Sequence, residues 1–402
     1  VLLRRELPPT AGLPLRWTDL LPGDAGLEAR LAQLFDLPAP LLTCSGTAAL
    51  VLALRALRRL APTRDEVVVP AYTCPLVAIA VQTCGLRLRL GELREGHFDL
   101  EPVALRGLCG PRTLAVLPTH LAGRVADVAD AVDAARACGA WVIEDAAQAL
   151  GARVDGRSVG LRGDIGFFSL AAGKGLSLYE GGVLVSADPA LRALLAEEAA
   201  RVPSSAGWEL RRSAELLGLA LAYRPRALAL AYGLPLRRAL ERGDPEAAVG
   251  DVFGPEIPLH RVGAWRRMVG VHASARLPAF LHDARDRALA WKQAIEAVPG
   301  VQVYDDRPGE HGTWPVLWLR LPDRARRDAV LARLWTAGLG VSRMFIHALP
   351  DYAYLRDCVP QAEVPQARAL AACSLTIGNG PWLDEATRTR ILDALRQGVG
   401  MK

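Results

Sequence analysis

The seven cysteines of this 402-residue chain are an odd number and form no C-x-x-C pair, which excludes a zinc ribbon and a disulfide framework and predicts reduced thiols. No metal site is expected. Low-complexity tracts, heptad arrays and internal repeats are also missing, excluding a coiled coil, a solenoid and disorder beyond the ends. No nucleic-acid-binding motif is present and the net charge of +5 is scattered, so nucleic acid is not an expected partner. The stretch Val1–Pro9 lacks the apolar run of a secretory signal, which predicts a cytoplasmic protein. The apolar stretch Leu216–Ala222 is too short to span a bilayer, and Arg224 and Arg226 interrupt the longer run. What remains is 51% apolar and 23% charged, the balance of a folded soluble enzyme.

The length predicts two unequal domains, 1–285 and 286–402, with the second beginning between residues 285 and 300. From about residue 38 to 190 short apolar runs alternate with helical stretches, the spacing of βα units around a mostly parallel sheet flanked by helices, an α/β fold. Strands are predicted at Glu66–Val69, Leu114–Leu117, Trp141–Ile143, Ile165–Leu170 and Val183–Ser186. Helices are predicted at Ser45–Arg59 and Asp127–Cys138, the latter closed by Gly139. Residues 201–250 read as a Leu/Ala-rich helical insert broken at Arg224-Pro225-Arg226 and at Pro235. The smaller C-terminal α+β domain carries helix signals at Asp286–Ala297, Asp323–Ala337 and Asp384–Gln397, and a strand at Thr313–Leu319.

Three segments carry chemistry. Ser45-Gly46-Thr47 opens a helix, and the free N–H groups there suit a phosphate, although an ordinary Ser/Thr N-cap reads the same way. Asp145 ends a very apolar strand, where a protonated pyridine nitrogen would partner the carboxylate and a turn-capping role is the alternative. Strand alternation sends Glu144 to the opposite face. Lys174 lies between Gly173 and Gly175 after a small-residue segment that is hardly a solvated surface, so a bulky cofactor can reach its amine. A P-loop is excluded, because Phe168 and Gly175 stand where that motif needs Gly and Ser or Thr. Amine, acid and phosphate nest together predict a pyridoxal phosphate site.

These segments resemble the DegT/DnrJ/StrS family of pyridoxal phosphate-dependent sugar aminotransferases, a branch of fold-type I. The likeness runs from Cys44–Leu50 through Val69–Pro75, Pro118–Gly123, Glu144–Ala149 and Glu180–Gly182, with an echo at Ile346–Pro350. It implies Lys174 as the Schiff-base lysine and proton shuttle, Asp145 as partner of the pyridinium nitrogen, and Gln148 as donor to the cofactor's phenolic oxygen. Ser169 would bind phosphate with Gly46, Thr47 and Ser45. Cys74 stands where the family stacks an aromatic ring on the cofactor, with Tyr72 as a substitute. His120, Arg343 and His347 are candidate substrate residues by neighbourhood, and each reads equally well as structural.

The resemblance further implies amino transfer from glutamate or glutamine to a keto-sugar, linked to a nucleotide, in a homodimer whose active site lies at the subunit boundary. Lysine at 174, where some family members carry histidine and act as dehydratases, favours transamination. Other carbanion chemistry, a lipid-linked or non-sugar acceptor, or a regulator that keeps the fold are the alternatives. Two features depart from the family. Gly263-Ala264-Trp265-Arg266-Arg267-Met268 lacks the asparagine that the family supplies to its neighbouring subunit, and the 201–250 insert is long and apolar. The insert could shape an acceptor pocket, a dimer surface or a peripheral membrane contact.

Overall fold

The computed structural model describes residues 5–400. Seven strands form the central sheet, in the order Leu41–Thr43, Gly182–Val185, Ile165–Ser169, Trp141–Asp145, Thr113–Val116, Glu66–Pro70, Arg87–Gly91. The neighbours from Ile165–Ser169 to Arg87–Gly91 pair in parallel, and only Gly182–Val185 runs against its neighbours. Val67, Val68, Val69, Val142 and Ile143 are buried, as the continuous apolar runs of a sheet covered on both faces require. Two strands were not legible in advance. Leu41–Thr43 is three residues long beside Pro40, and Arg87–Gly91 is an edge strand whose arginines pair with Glu66.

Helix ends follow local chemistry. Gly46–Leu60 starts after Ser45, whose hydroxyl accepts from Ala48 N–H at 2.9 Å. The helix predicted from Asp127 starts at Ala129 instead, after Val128 at its N-cap; Asp127 lies just before it and accepts from the Ala129 N–H, and the helix closes at Gly139 with φ 70°.

A second sheet, Gln302–Val303, Val316–Arg320, Ser374–Gly378 and Val341–Ser342, is antiparallel throughout. Its strand begins at Val316 rather than Thr313, because Trp314 takes a left-handed φ of 50° and Pro315 cannot donate to a ladder. The helix expected at Asp286 begins earlier and runs Leu277–Glu296, passing without interruption across residue 285. The insert is helical: Ala206–Ala222, then Pro225–Leu228, a π-helical turn Ala229–Gly233, Leu234–Glu241, and Pro245–Val249. Pro225 starts its helix, but Pro235 does not break one. The wider turn just before it absorbs the missing N–H.

Tyr72 joins the two sheets. Its ring stacks on Trp318 at 6.4 Å and meets Phe345 edge-on at 5.5 Å, while its hydroxyl donates to the Phe345 carbonyl and accepts from the Phe345 N–H. Burial pushes the phenol up to about 12, so it stays neutral. Replacing Tyr72 with Phe strands both backbone groups of Phe345. Urea unfolding should show a loss of about 1–3 kcal/mol.

Candidate active site

A cavity of about 390 Å³ opens at the C-terminal ends of the parallel strands, the usual place for a ligand in such sheets. Its wall includes Ser45, Gly46, Thr47, Cys74, His120, Asp145, Gln148, Ser169 and Lys174. The N–H groups of Gly46 and Thr47 belong to the first turn of their helix and have no helical carbonyl to bond. Gly182 packs against the Ser45 carbonyl so closely that a Cβ there would collide with it, which fixes the cradle to the strand beside Ser169. Ser169 lies on the cradle's other side, 3.1 Å from where a Cβ on Gly46 would stand.

Lys174 is held in a turn. Gly173 has φ 80°, its carbonyl accepts from Thr10 Oγ1 at 2.9 Å, and the Leu13 N–H donates to the Gly175 carbonyl at 3.0 Å. The amine makes no hydrogen bond or ion pair among the described residues. Burial holds it below the usual lysine range, against the opposing pull of Cys74 and Asp145. An unpartnered amine whose charged form is disfavoured by burial is suited to act as a nucleophile.

Adjacent carboxylates part company at the strand end. Glu144 is fully buried and accepts from His120 Nε2 at 3.0 Å and from the backbone N–H groups of Gly160, Arg162 and Gly163 at 2.9, 2.6 and 2.6 Å. Burial alone would raise it, but His120 and these N–H groups more than offset that and hold it below the usual range. Asp145, on the other face, accepts only from the Ala147 N–H, and burial raises it despite that bond and the nearby Lys174. A ligand N–H⁺ would supply the charge partner it lacks. Gln148 accepts from the Ala122 N–H at 2.7 Å, and its amide nitrogen faces only the weak acceptor Met344 Sδ at 3.4 Å, leaving donor capacity for a ligand oxygen.

Four sequence expectations change. Tyr72 is wholly within the core and does not reach the cavity, because its ring is committed to Trp318 and Phe345; Cys74 does reach it, as a neutral thiol pushed up to about 12 by burial. His120 has both ring nitrogens occupied, Nδ1 accepting from the Ala126 N–H and Nε2 donating to Glu144, so it offers substrate only a ring face. Arg343 turns away to the carbonyls of Ile346 and Ala371 and does not line the cavity. His347 pairs with Glu246 at 3.1 Å, outside the lining. Sequence reading missed Glu180, which lines the cavity and forms an ion pair with Arg212 of the insert, and Val249, Gly250 and Phe253, which wall its mouth. The run Glu180-Gly181-Gly182 was the signal for the first; nothing local marked the others.

The segment without asparagine is tied within its own chain. The Trp265 indole N–H donates to the Leu20 carbonyl at 3.2 Å, and the buried Arg266 binds Glu209 and the Glu180 carbonyl.

A lysine in a glycine turn, a carboxylate at a parallel-strand end and a helix N-terminus around one cavity define a fold-type I pyridoxal phosphate-dependent transferase. The chain belongs to the DegT/DnrJ/EryC1/StrS aminotransferase family, whose model matches residues 15–224. It is 28% identical over 378 residues to dTDP-3-amino-3,4,6-trideoxy-alpha-D-glucose transaminase of Streptomyces venezuelae, covering 92% of this chain and 86% of that protein. It is 29% identical over 360 residues to GDP-perosamine synthase of Caulobacter vibrioides, covering 88% and 84%. Among solved structures, S. venezuelae DesV in complex with a ketimine intermediate superposes with a TM-score of 0.70 at 26% identity, covering 95% of this chain and 91% of that one. Spr1654 from Streptococcus pneumoniae, in its PLP form, gives a TM-score of 0.73 at 18% identity, covering 98% of this chain and 99% of that one, a likeness of fold alone.

The depressed Lys174 amine sets a pH signature for the protein without cofactor. Its contribution to stability is present above the ordinary lysine range and is lost as pH falls through the folded-state value. A Lys174→Met variant lacks this dependence. Its stability relative to the parent, from urea melts, should therefore rise as pH is lowered from that range toward neutrality.

Proposed function

We propose that this chain transfers an amino group from glutamate or glutamine to a keto-sugar carried on a nucleotide, using pyridoxal 5'-phosphate. The observation that carries the reading is the Lys174 amine, unpartnered in the same cavity as Asp145 and the Ser45–Thr47 helix start. The residues fit the cofactor: Gly46, Thr47 and Ser169 would bind its phosphate, Gln148 its phenolic oxygen, Asp145 its ring nitrogen. When bound, pyridoxal phosphate supplies an electrophilic carbon and an electron sink. Lys174 Nζ then serves as the base that takes the proton from the donor's Cα. Asp145 would accept the ring nitrogen's N–H and hold that proton in place, and the Cys74 thiol, neutral, contributes an uncharged wall. The sugar acceptor draws support from what the relatives' names state for those proteins.

A homodimer belongs to the same reading. No arginine lines the cavity among the described residues, and a donor carboxylate needs a cation, so a second copy at the cavity mouth would complete the site. A cytoplasmic location is part of the proposal.

The test is the visible spectrum of the protein with added pyridoxal phosphate. A band that glutamate bleaches and a nucleotide-linked keto-sugar restores supports the reading. Lys174→Ala should lower turnover by at least roughly 100-fold. A band unaffected by either amino donor would contradict transamination.

A further inference from the structure

Helices on a protein surface turn polar side chains outward and apolar ones toward the core. The helical run from Pro225 to Glu241 does otherwise. Its outward positions at four-residue steps are Arg226, Leu230, Leu234 and Arg238, all exposed, with Leu230 at 57% and Leu234 at 36%. In a regular α-helix such a series drifts about 40° per step. The π-helical turn Ala229–Gly233, with its wider closure, lessens that drift, and all four side chains stay exposed to solvent. Behind them Leu228, Leu236 and Ala239 are buried, so the run is apolar on both sides.

The preceding helix, Ala206–Ala222, repeats the pattern. Arg212 and Glu209 anchor it inward to Glu180 and Arg266, and Leu216 is buried. Leu217 and Leu221, 42% and 52% exposed, face water.

Arg226 and Arg238 make no ion pair or side-chain hydrogen bond among the described residues, whereas the inward Arg237 binds Glu6. Two unpaired guanidinium groups bracketing two leucines complement a surface with an apolar interior and anionic phosphates at its edge: leucines enter the acyl boundary while arginines extend to the headgroups. We infer that this face docks on an anionic lipid surface. Docking is peripheral, since no described helix is long and apolar enough to cross a membrane.

A second copy of the chain fits the face less well. A symmetric antiparallel contact would set Arg226 of one copy near Arg238 of the other, like charge against like. Four partly exposed leucines also offer less than the roughly 800 Å² that each side of a stable interface buries. The run continues into Pro245–Val249, and Val249 and Gly250 line the cavity, so the docking face and the cavity wall belong to one segment. The inference does not depend on the transamination reading, and the cofactor spectrum reports on that separately.

The experiment is co-sedimentation of the full chain with vesicles of phosphatidylcholine alone or mixed equally with phosphatidylglycerol. The parent should sediment with the mixed vesicles and far less with phosphatidylcholine. Leu230→Glu with Leu234→Glu should weaken this by roughly tenfold or more. Arg226→Ala and Arg238→Ala should each cost about fivefold, on anionic vesicles only. All four side chains are exposed, so the variants should keep the parent's melting temperature; the arginine pair, which removes no apolar contact, carries the test if the leucine pair does not. A parent that stays in the supernatant overturns the inference. So does a leucine pair that binds vesicles like the parent but converts a dimer to a monomer in sedimentation velocity, which would make this face a contact between copies.

Discussion

One buried carboxylate organises the site. On the strand face opposite Asp145, Glu144 gathers His120 and three backbone N–H groups, and the loss of any one of these donors would leave its buried charge less compensated. That bond set pins the loop Gly160–Gly163 and the residues after Thr113–Val116 to the end of Trp141–Asp145. Because side chains alternate along a strand, fixing Glu144 on one face fixes Asp145 on the other, facing Lys174. Two neighbouring acids thereby acquire opposite tendencies: Glu144 is satisfied and held ionised, while Asp145 is left short of partners for a ligand to supply.

The lysine depends on a second, more distant set of ties. Thr10 and Leu13 hold the carbonyls on either side of Lys174, and Tyr223 holds that N-terminal strap through the Thr10 carbonyl at 2.8 Å and the Gly12 N–H at 2.9 Å. Tyr223 ends the first insert helix. The insert is therefore not an appendage: through Tyr223 it steadies the lysine turn, and through Arg212 it pairs with Glu180 on the cavity wall. A buried amine without a partner costs stability, and these ties hold it in place.

How much of this was legible depended on how local each signal is. Ser45, Asp145 and Lys174 announce themselves through a cap, a strand end and a glycine turn, and the parallel sheet through its apolar runs. The residues left open were of another kind. Tyr72 and Arg343 sit beside motif residues in the chain but point into the packing between the two sheets, which no spacing rule reports. His120 carries a reactive ring whose nitrogens are spent on Glu144 and Ala126, partners set by the fold. Pro235 failed as a helix breaker because a π turn precedes it, and a π turn has no sequence signature. Glu180 and the insert's share of the cavity wall arise from tertiary contact alone.

The account turns on Lys174 being the residue that captures the cofactor's aldehyde. The chain has only three lysines, Lys174, Lys292 and Lys402, and Lys292 is engaged with Glu296 and Asp305, so a covalent label can be assigned by peptide mass. The protein is incubated with pyridoxal phosphate, reduced with borohydride and digested. The account predicts the added mass on the peptide containing Lys174. A label on another peptide, or none, would contradict it.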